Sequence, residues 1–97
     1  MVHNVYFWLK PDADHAKFEA GVRELFGIAG IQSSFLGRSA PTPERPVTDK
    51  SFSYHLSLGF ASVEDHDHYQ AHLDHHRFVE DCSDLWERVV VYDSREA

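Results

Sequence analysis

"SFSYHLSLGFA", residues 51–61, alternates between large apolar side chains and small or polar ones along its whole length. The apolar series is Phe52, Tyr54, Leu56, Leu58 and Phe60. Successive side chains of a β-strand point to opposite faces of a sheet, so this period of two predicts a strand with one buried face. A sheet is therefore the expected basis of the fold.

The segments on either side of this strand predict the rest of the fold. Strands are expected at "VHNVYFWLK" (residues 2–10), "IQSSFLGRS" (31–39) and "RVVVYDS" (88–94), which are rich in β-branched or aromatic residues. Residues 14–30 carry apolar side chains at helical spacing, and Ser62 with Asp65 resembles a capping box that opens a second helix. The order β-α-β-β-α-β predicts a ferredoxin-like α+β fold, a four-stranded antiparallel sheet with helices on one face, as a single domain over residues 1–97.

Composition restricts the function classes. Ninety-seven residues, 42% of them hydrophobic, suffice for one small domain, and no apolar run is long enough to span a membrane. The net charge of −7 argues against a nucleic-acid partner. The N-terminal segment has the pattern of a first strand and not of a signal peptide. A single cysteine fits a reducing compartment, so a cytoplasmic location is expected.

The first and last strands are apolar on both faces, so the helices can cover only half of this surface. Large apolar patches are rarely left in water, and no segment of the chain is left to cover the second face. A homodimer with the two sheets face to face, a dimeric α+β barrel, is therefore expected. Its predicted interface residues are Tyr6, Trp8, His55, Val90 and Tyr92.

Several of the chain's eight histidines lie in or just before "YQAHLDHHRFVED", residues 69–81. His68, His72 and His76 would share a face if the helix were continuous, a spacing that can hold zinc or nickel. Metal sites usually draw ligands from more than one element, so no bound metal and no cofactor are expected. His66, His68 and His76 are predicted to be largely exposed, whereas His3 is predicted to be buried and hydrogen-bonded.

Tyr69 and His75 are the candidate catalytic residues. An imidazole with a pKa near 6.5 can remove a proton next to a carbonyl group at neutral pH, and a phenol can stabilise the developing enolate. The alternative is structural, with His75 bracing a helix junction and Tyr69 packing in the core. The residues alone leave both alternatives open.

The chain resembles the stress-responsive A/B barrel (Dabb) family over essentially its whole length. The resemblance rests on "HNVYFWLK", on "SYHLSLGFAS", and above all on the spacing of Tyr69, His72, His75 and Phe78 before "LWERVVVYD". Family members usually carry proline where this chain has Leu73. A plant polyketide cyclase of the family works without metal or cofactor, and its catalytic tyrosine and histidine fall on Tyr69 and His75. The resemblance implies a substrate pocket between sheet and helices, lined by Val5, Phe7, Leu56, Leu58, His72, Trp86, Val89 and Val91.

Three functions are compatible with these observations, and whether the protein is an enzyme stays open. The first is a cofactor-free lyase or cyclase that uses Tyr69 and His75 on an apolar carbonyl compound. The second is a non-catalytic stress-response or small-ligand-binding dimer, and the third is a histidine-rich metal-binding protein. An open cavity that reaches Tyr69 and His75 would favour the first function.

Overall fold

Strand β1 (Val2–Leu9) lies in the middle of a four-stranded sheet in the computed structural model, which describes residues 1–97. It pairs antiparallel with β3 (Tyr54–Phe60) on one side and with β4 (Trp86–Ser94) on the other. β2 (Ile31–Gly37) pairs antiparallel with the outer edge of β3, which gives the order β2-β3-β1-β4. The predicted ferredoxin-like α+β fold is confirmed.

The helices are α1 (His15–Leu25), α2 (Val63–Ala71) and α3 (Leu73–Cys82), followed by a short 3-10 turn at Ser83–Leu85. Asp14 begins α1 by accepting a hydrogen bond from the Lys17 N–H at 3.0 Å. Ser62 begins α2 in the same way, accepting from the Asp65 N–H at 3.1 Å, as the sequence predicted. No helix has both the length and the apolar character needed to cross a membrane.

One face of the sheet packs against the helices and forms the core. The buried residues of β1 alternate with half-exposed ones, as the period of two requires. The core contains three side chains from β1 and four from β3, at every second position, together with the inward stripes of α1 and α3. Its members from β1, β3 and the helices include Val5, Phe7, Leu56, Leu58, Phe18, Val22, Leu25, Tyr69 and Phe78.

Gly21 lets α1 and α3 approach each other closely. A Cβ atom at this position would lie 2.9 Å from the Cys82 Sγ and 3.3 Å from the Phe78 Cδ1. The glycine weakens α1 intrinsically, since glycine is a poor helix former. Close packing of the two helices is the reason that the sequence has glycine there.

Phe52 differs from its predicted position. The alternation placed it on the buried face with Tyr54, but β3 begins only at Tyr54, and the Phe52 ring packs against Tyr6 on the opposite face at 5.1 Å between ring centroids. Ser53, just before the strand, is held by two hydrogen bonds to β1. The Ser53 N–H donates to the Phe7 carbonyl, and the Ser53 hydroxyl accepts from the Leu9 N–H. The period of two therefore does not extend past the end of the strand.

The helix predicted through the histidine-rich region is broken at His72. This residue has extended backbone angles (φ −66°, ψ 142°), so it ends α2 and caps α3 at the same time. Its Nδ1 accepts a hydrogen bond from the Asp74 N–H at 3.0 Å. Leu73 occupies the first helical position of α3, where proline is favoured, so the chain makes the break without the proline that relatives usually have.

The second face of the sheet is open and aromatic. The Tyr6 and His55 rings stack at 4.4 Å between centroids, and the Arg88 guanidinium lies 4.3 Å from the centroid of the Trp8 ring. A depression of about 380 Å³ on this face is lined by all five predicted interface residues, Tyr6, Trp8, His55, Val90 and Tyr92, and by Val47, Asp49, Phe52 and Arg88.

Candidate functional site

A small cavity lies between the helix-facing side of the sheet and helices α2 and α3. Its volume is about 170 Å³, and most of its lining side chains are apolar. They come from β1, β3, β4, α2 and α3, namely His3, Val5, Phe7, Leu56, Tyr69, Gln70, His75, Phe78, Val79, Trp86, Val89 and Val91. Such a mostly apolar pocket with a few polar groups is typical of small-molecule sites.

Tyr69 contributes its ring to this cavity from near the C-terminal end of α2. It is almost fully buried, and its ring packs 5.4 Å from that of Phe60 and 5.0 Å from that of His75. Burial alone raises the pKa of the Tyr69 phenol, and no protein group forms a hydrogen bond that contributes to this shift. The hydroxyl is therefore a neutral donor that is available to a molecule in the cavity.

His75 lies in the first turn of α3 and is half-buried. Burial lowers its pKa, and the nearby imidazoles of His76, His3 and His66 lower it further. His75 is thus neutral at neutral pH and can accept a proton. A neutral base beside a neutral phenol is the arrangement that enolate chemistry requires.

The break at His72 is what brings Tyr69 and His75 together. Six residues along a continuous helix correspond to about 9 Å of rise and to a rotation of about 240°, so the two side chains would point in different directions. Because α2 and α3 are separate helices, the two rings instead meet edge to face. The feature of the sequence that brings Tyr69 and His75 together is therefore the helix junction at His72, and not their spacing along one helix.

His3 lines the same cavity and is almost fully buried. Its Nδ1 donates to the Asp93 carboxylate at 2.5 Å, and its Nε2 lies 3.4 Å from the side-chain nitrogen of Gln70. Burial lowers the His3 pKa more than the contact with Asp93 raises it. The sequence predicted this residue as buried and hydrogen-bonded, and the geometry agrees with that description.

Of the eight residues expected to line a pocket, six line the cavity, namely Val5, Phe7, Leu56, Trp86, Val89 and Val91. Leu58 does not, because it is fully buried in the core further along β3. His72 does not either, because its ring caps α3. The sequence does not predict four of the lining residues, His3, Gln70, Phe78 and Val79, although Phe78 belongs to the motif that carries the resemblance.

The histidines of α2 and α3 are placed differently from the expectation in two respects. His68 and His76 are exposed, but His66 is mostly buried and its ring lies 4.8 Å from that of His3. His66 precedes the buried Tyr69 by three residues, so both lie on the inward face of α2. His68, His72 and His76 do not share a helical face, because His72 interrupts the helix.

Tyr54 shows what a tyrosine with a structural role looks like in this protein. Its hydroxyl donates to Glu19 at 2.5 Å and lies 3.0 Å from the His15 Nδ1. Burial and the Glu19 carboxylate raise the pKa of Tyr54 to about 12. The Tyr69 hydroxyl has no such partners, so the two buried tyrosines differ in the surroundings of their hydroxyl groups.

An antiparallel β2-β3-β1-β4 sheet with helices on one face defines a ferredoxin-like α+β domain. The chain belongs to the stress-responsive A/B barrel domain (Dabb) family, whose model matches residues 1–96. A search of the curated proteins finds no match.

Solved structures share the fold at low sequence identity. A protein from Arabidopsis thaliana is similar with a TM-score of 0.80 and 17% identity over 99% of this chain and 94% of that one. A Dabb family protein with a ferredoxin-like fold from Mesorhizobium loti has a TM-score of 0.76 and 23% identity over 99% and 95%. A hydroxynitrile lyase from Passiflora edulis has a TM-score of 0.73 and 16% identity over 94% and 87%. Two further neighbours, from Bacteroides fragilis and Thermobifida fusca, are described as dimeric proteins of unknown function.

Proposed function

We propose that this protein is a cofactor-free acid–base enzyme that acts on a small apolar carbonyl compound. The observation that carries the proposal is the meeting of the Tyr69 and His75 rings, 5.0 Å apart, at the same apolar cavity. A hydroxynitrile lyase among the structural neighbours supports lyase-type chemistry on this fold.

The size of the cavity limits the substrate. An apolar cavity of roughly 150 Å³ binds benzene, so a cavity of about 170 Å³ takes a single ring with a small substituent. The apolar walls favour a compound whose only polar group is the carbonyl. Long polyketide chains do not fit this volume.

The proposed reaction begins with proton transfer. The neutral imidazole of His75 removes a proton from the carbon next to the carbonyl group, and the electron pair of the C–H bond moves to the carbonyl oxygen as an enolate. The Tyr69 hydroxyl donates a hydrogen bond to that oxygen. The enolate carbon then takes a proton back from the imidazolium, which restores the carbonyl group and the neutral His75.

We also propose that the protein acts as a homodimer whose open sheet face packs against that of a second copy. Two observations support this. The open face is aromatic and lined by Tyr6, Trp8, Val90 and Tyr92, and two structural neighbours are described as dimeric. The proposed catalytic cavity lies on the opposite side of the sheet, so each subunit has a complete site.

Exchange of the methyl protons of acetophenone in D₂O, followed by ¹H NMR, tests the proton-transfer step. We expect the wild-type protein to accelerate exchange and His75→Ala to abolish the acceleration. Tyr69→Phe should reduce the rate by roughly 10²-fold or more, as loss of one donor to a developing oxyanion does.

His68→Ala is the matched control, because His68 is an exposed histidine on the neighbouring helix α2. It should exchange acetophenone at the wild-type rate. Binding of acetophenone without faster exchange, or equal rates in wild type and His75→Ala, would show that the cavity is not catalytic.

A further inference from the structure

His3, His66 and Asp93 come from three different elements and meet at one point. Their nearest ligand-type atoms, two imidazole nitrogens and one carboxylate oxygen, all lie within 4.8 Å of one another. His3 is on β1, His66 on α2 and Asp93 on β4. Ligands gathered from separate elements are typical of metal sites, unlike the single-helix spacing of His68, His72 and His76.

The orientation of His66 distinguishes this cluster from an ordinary polar contact. Its Nδ1 lies 3.1 Å from the Asp67 carboxylate, and a carboxylate only accepts, so this nitrogen carries the proton. The lone pair of neutral His66 is therefore on Nε2. That atom is buried and has no hydrogen-bond partner, and it lies 4.0 Å from the Asp93 Oδ1. A zinc-type ion forms bonds of about 2.0–2.2 Å to an imidazole nitrogen and to a carboxylate oxygen, so one ion between these two atoms can bind both.

His3 completes the set. Its Nδ1 donates to the Asp93 Oδ1, and a metal ion that binds Nδ1 would shift this proton to Nε2, so that the imidazole stays neutral. Its Nε2 faces Gln70, whose side-chain amide can hold the ring in place on the other side. The cluster thus contains two imidazole nitrogens and one carboxylate oxygen, with Asp67 orienting His66 and Gln70 orienting His3.

We propose that His3, His66 and Asp93 bind a divalent transition-metal ion of the zinc type. Two imidazoles and a carboxylate suit such ions and do not suit Mg²⁺ or Ca²⁺, which prefer oxygen ligands. The ligand atoms need only small shifts to surround an ion. Asp93 can make such a shift because it is the penultimate residue of β4 and its side chain is nearly half exposed.

The cluster is also open to solvent on one side, which gives the ion an entry path and a position for water. A depression of about 330 Å³ is lined by His66 and Asp93 and by Met1, Val63, Asp67, Ser94 and Arg95. The carboxylates of Asp67 and Asp93 offset the charge of Arg95 there. The Met1 ammonium group is engaged elsewhere, since it donates to the Phe60 carbonyl at 2.7 Å.

Titration of the purified chain with Co²⁺ tests the proposal, because Co²⁺ in a site of nitrogen and oxygen ligands absorbs visible light. We expect one Co²⁺ per chain, displacement of Co²⁺ by Zn²⁺, and no displacement by Mg²⁺. Affinity should rise with pH, because protons compete with the metal ion for the imidazole nitrogens and the carboxylate.

His66→Gln should weaken binding by more than the roughly 10–100-fold that loss of an orienting partner costs, and Asp67→Asn should weaken it within that range. His68→Gln with His76→Gln is the matched control, because it removes two exposed histidines of the same region and leaves the cluster intact. Asp67 is exposed, so Asp67→Asn tests the site even if His66→Gln does not fold.

Three results would overturn the proposal. One is the absence of Co²⁺ absorption in the wild type, which would mean that a proton alone occupies the cluster. The second is equal affinity in wild type and both His66→Gln and Asp67→Asn. The third is loss of binding only in the His68→Gln/His76→Gln control, which would mark adventitious binding on the helix surface.

Discussion

Tyr54 and Tyr69 are both buried, yet their hydroxyl groups have different surroundings. The Tyr54 hydroxyl donates to Glu19 and lies beside His15, whereas Tyr69 has no protein partner in the cavity. Removing a hydroxyl group that has partners leaves those partners unsatisfied, and removing one without partners does not.

We therefore expect Tyr54→Phe to lower the melting temperature and to leave acetophenone exchange unchanged. Tyr69→Phe should show the reverse, with an unchanged melting temperature and slower exchange. Differential scanning calorimetry and the NMR assay measure the two effects side by side. A large loss of stability in Tyr69→Phe would mean that this tyrosine is a structural residue.

Residue positions were predictable where a short-range rule governs them. Ser62 caps a helix because a capping box needs only four residues. The prediction that His66 is exposed was wrong, because His66 lies one turn before Tyr69 on the inward face of α2 and is mostly buried. The His3–His66–Asp93 cluster had no sequence signal, since its members are separated by 63 and 27 positions and meet only through the fold.

Among the secondary-structure elements, the junction between α2 and α3 sets the position of Tyr69 relative to His75. The sequence left open whether the helix is continuous there, because Leu73 stands where family members usually carry proline. The structure shows that the His72 imidazole caps α3. The extended backbone of His72 and this side chain together start the helix without a proline. Strand and helix types followed from periodicity, whereas the ends of elements depended on such local contacts.

Leu73→Pro should stabilise the protein. Leu73 is exposed at the first position of α3, and His72 already has the extended angles that a residue before proline prefers. We expect a gain of about 0.4–1 kcal/mol in the free energy of unfolding, because proline restricts the unfolded chain. Chemical denaturation measures it.

Arg77→Pro is the control for this substitution. Arg77 is in the interior of α3, where proline removes a backbone hydrogen bond and clashes with the preceding turn, at a cost of about 3 kcal/mol or more. A loss of stability in Leu73→Pro comparable to that of Arg77→Pro would show that the first position of α3 does not tolerate proline.

At the scale of the whole molecule, the open sheet face is the proposed dimer interface. Trp8→Glu places a charge beside Tyr6 and the other aromatic residues of this face, and burying an unpaired charge is costly. By light scattering at micromolar concentration, we expect the wild type to be a dimer and Trp8→Glu to be monomeric or unfolded. Val63→Glu, on the helix side, should stay dimeric. A monomeric wild type would contradict the dimer proposal.

Acid should destabilise the folded chain through its buried imidazoles. Burial lowers the pKa of His3, His55 and His75, so the unfolded chain, in which histidine titrates near 6.5, binds protons first as the pH falls. Stability is therefore full above about pH 6.5 and declines below it. We expect the melting temperature to fall between pH 7 and 5.5, and less steeply in His55→Gln than in His68→Gln. A flat profile would contradict this linkage.

The interrupted helix also affects how this protein can change over time. Tyr69 and His75 lie on two short helices that meet at His72, so one substitution at this junction can alter the angle between the two side chains without changing the sheet beneath them. Substitutions at the His72–Leu73 junction are therefore the place at which engineering of new activities would best begin.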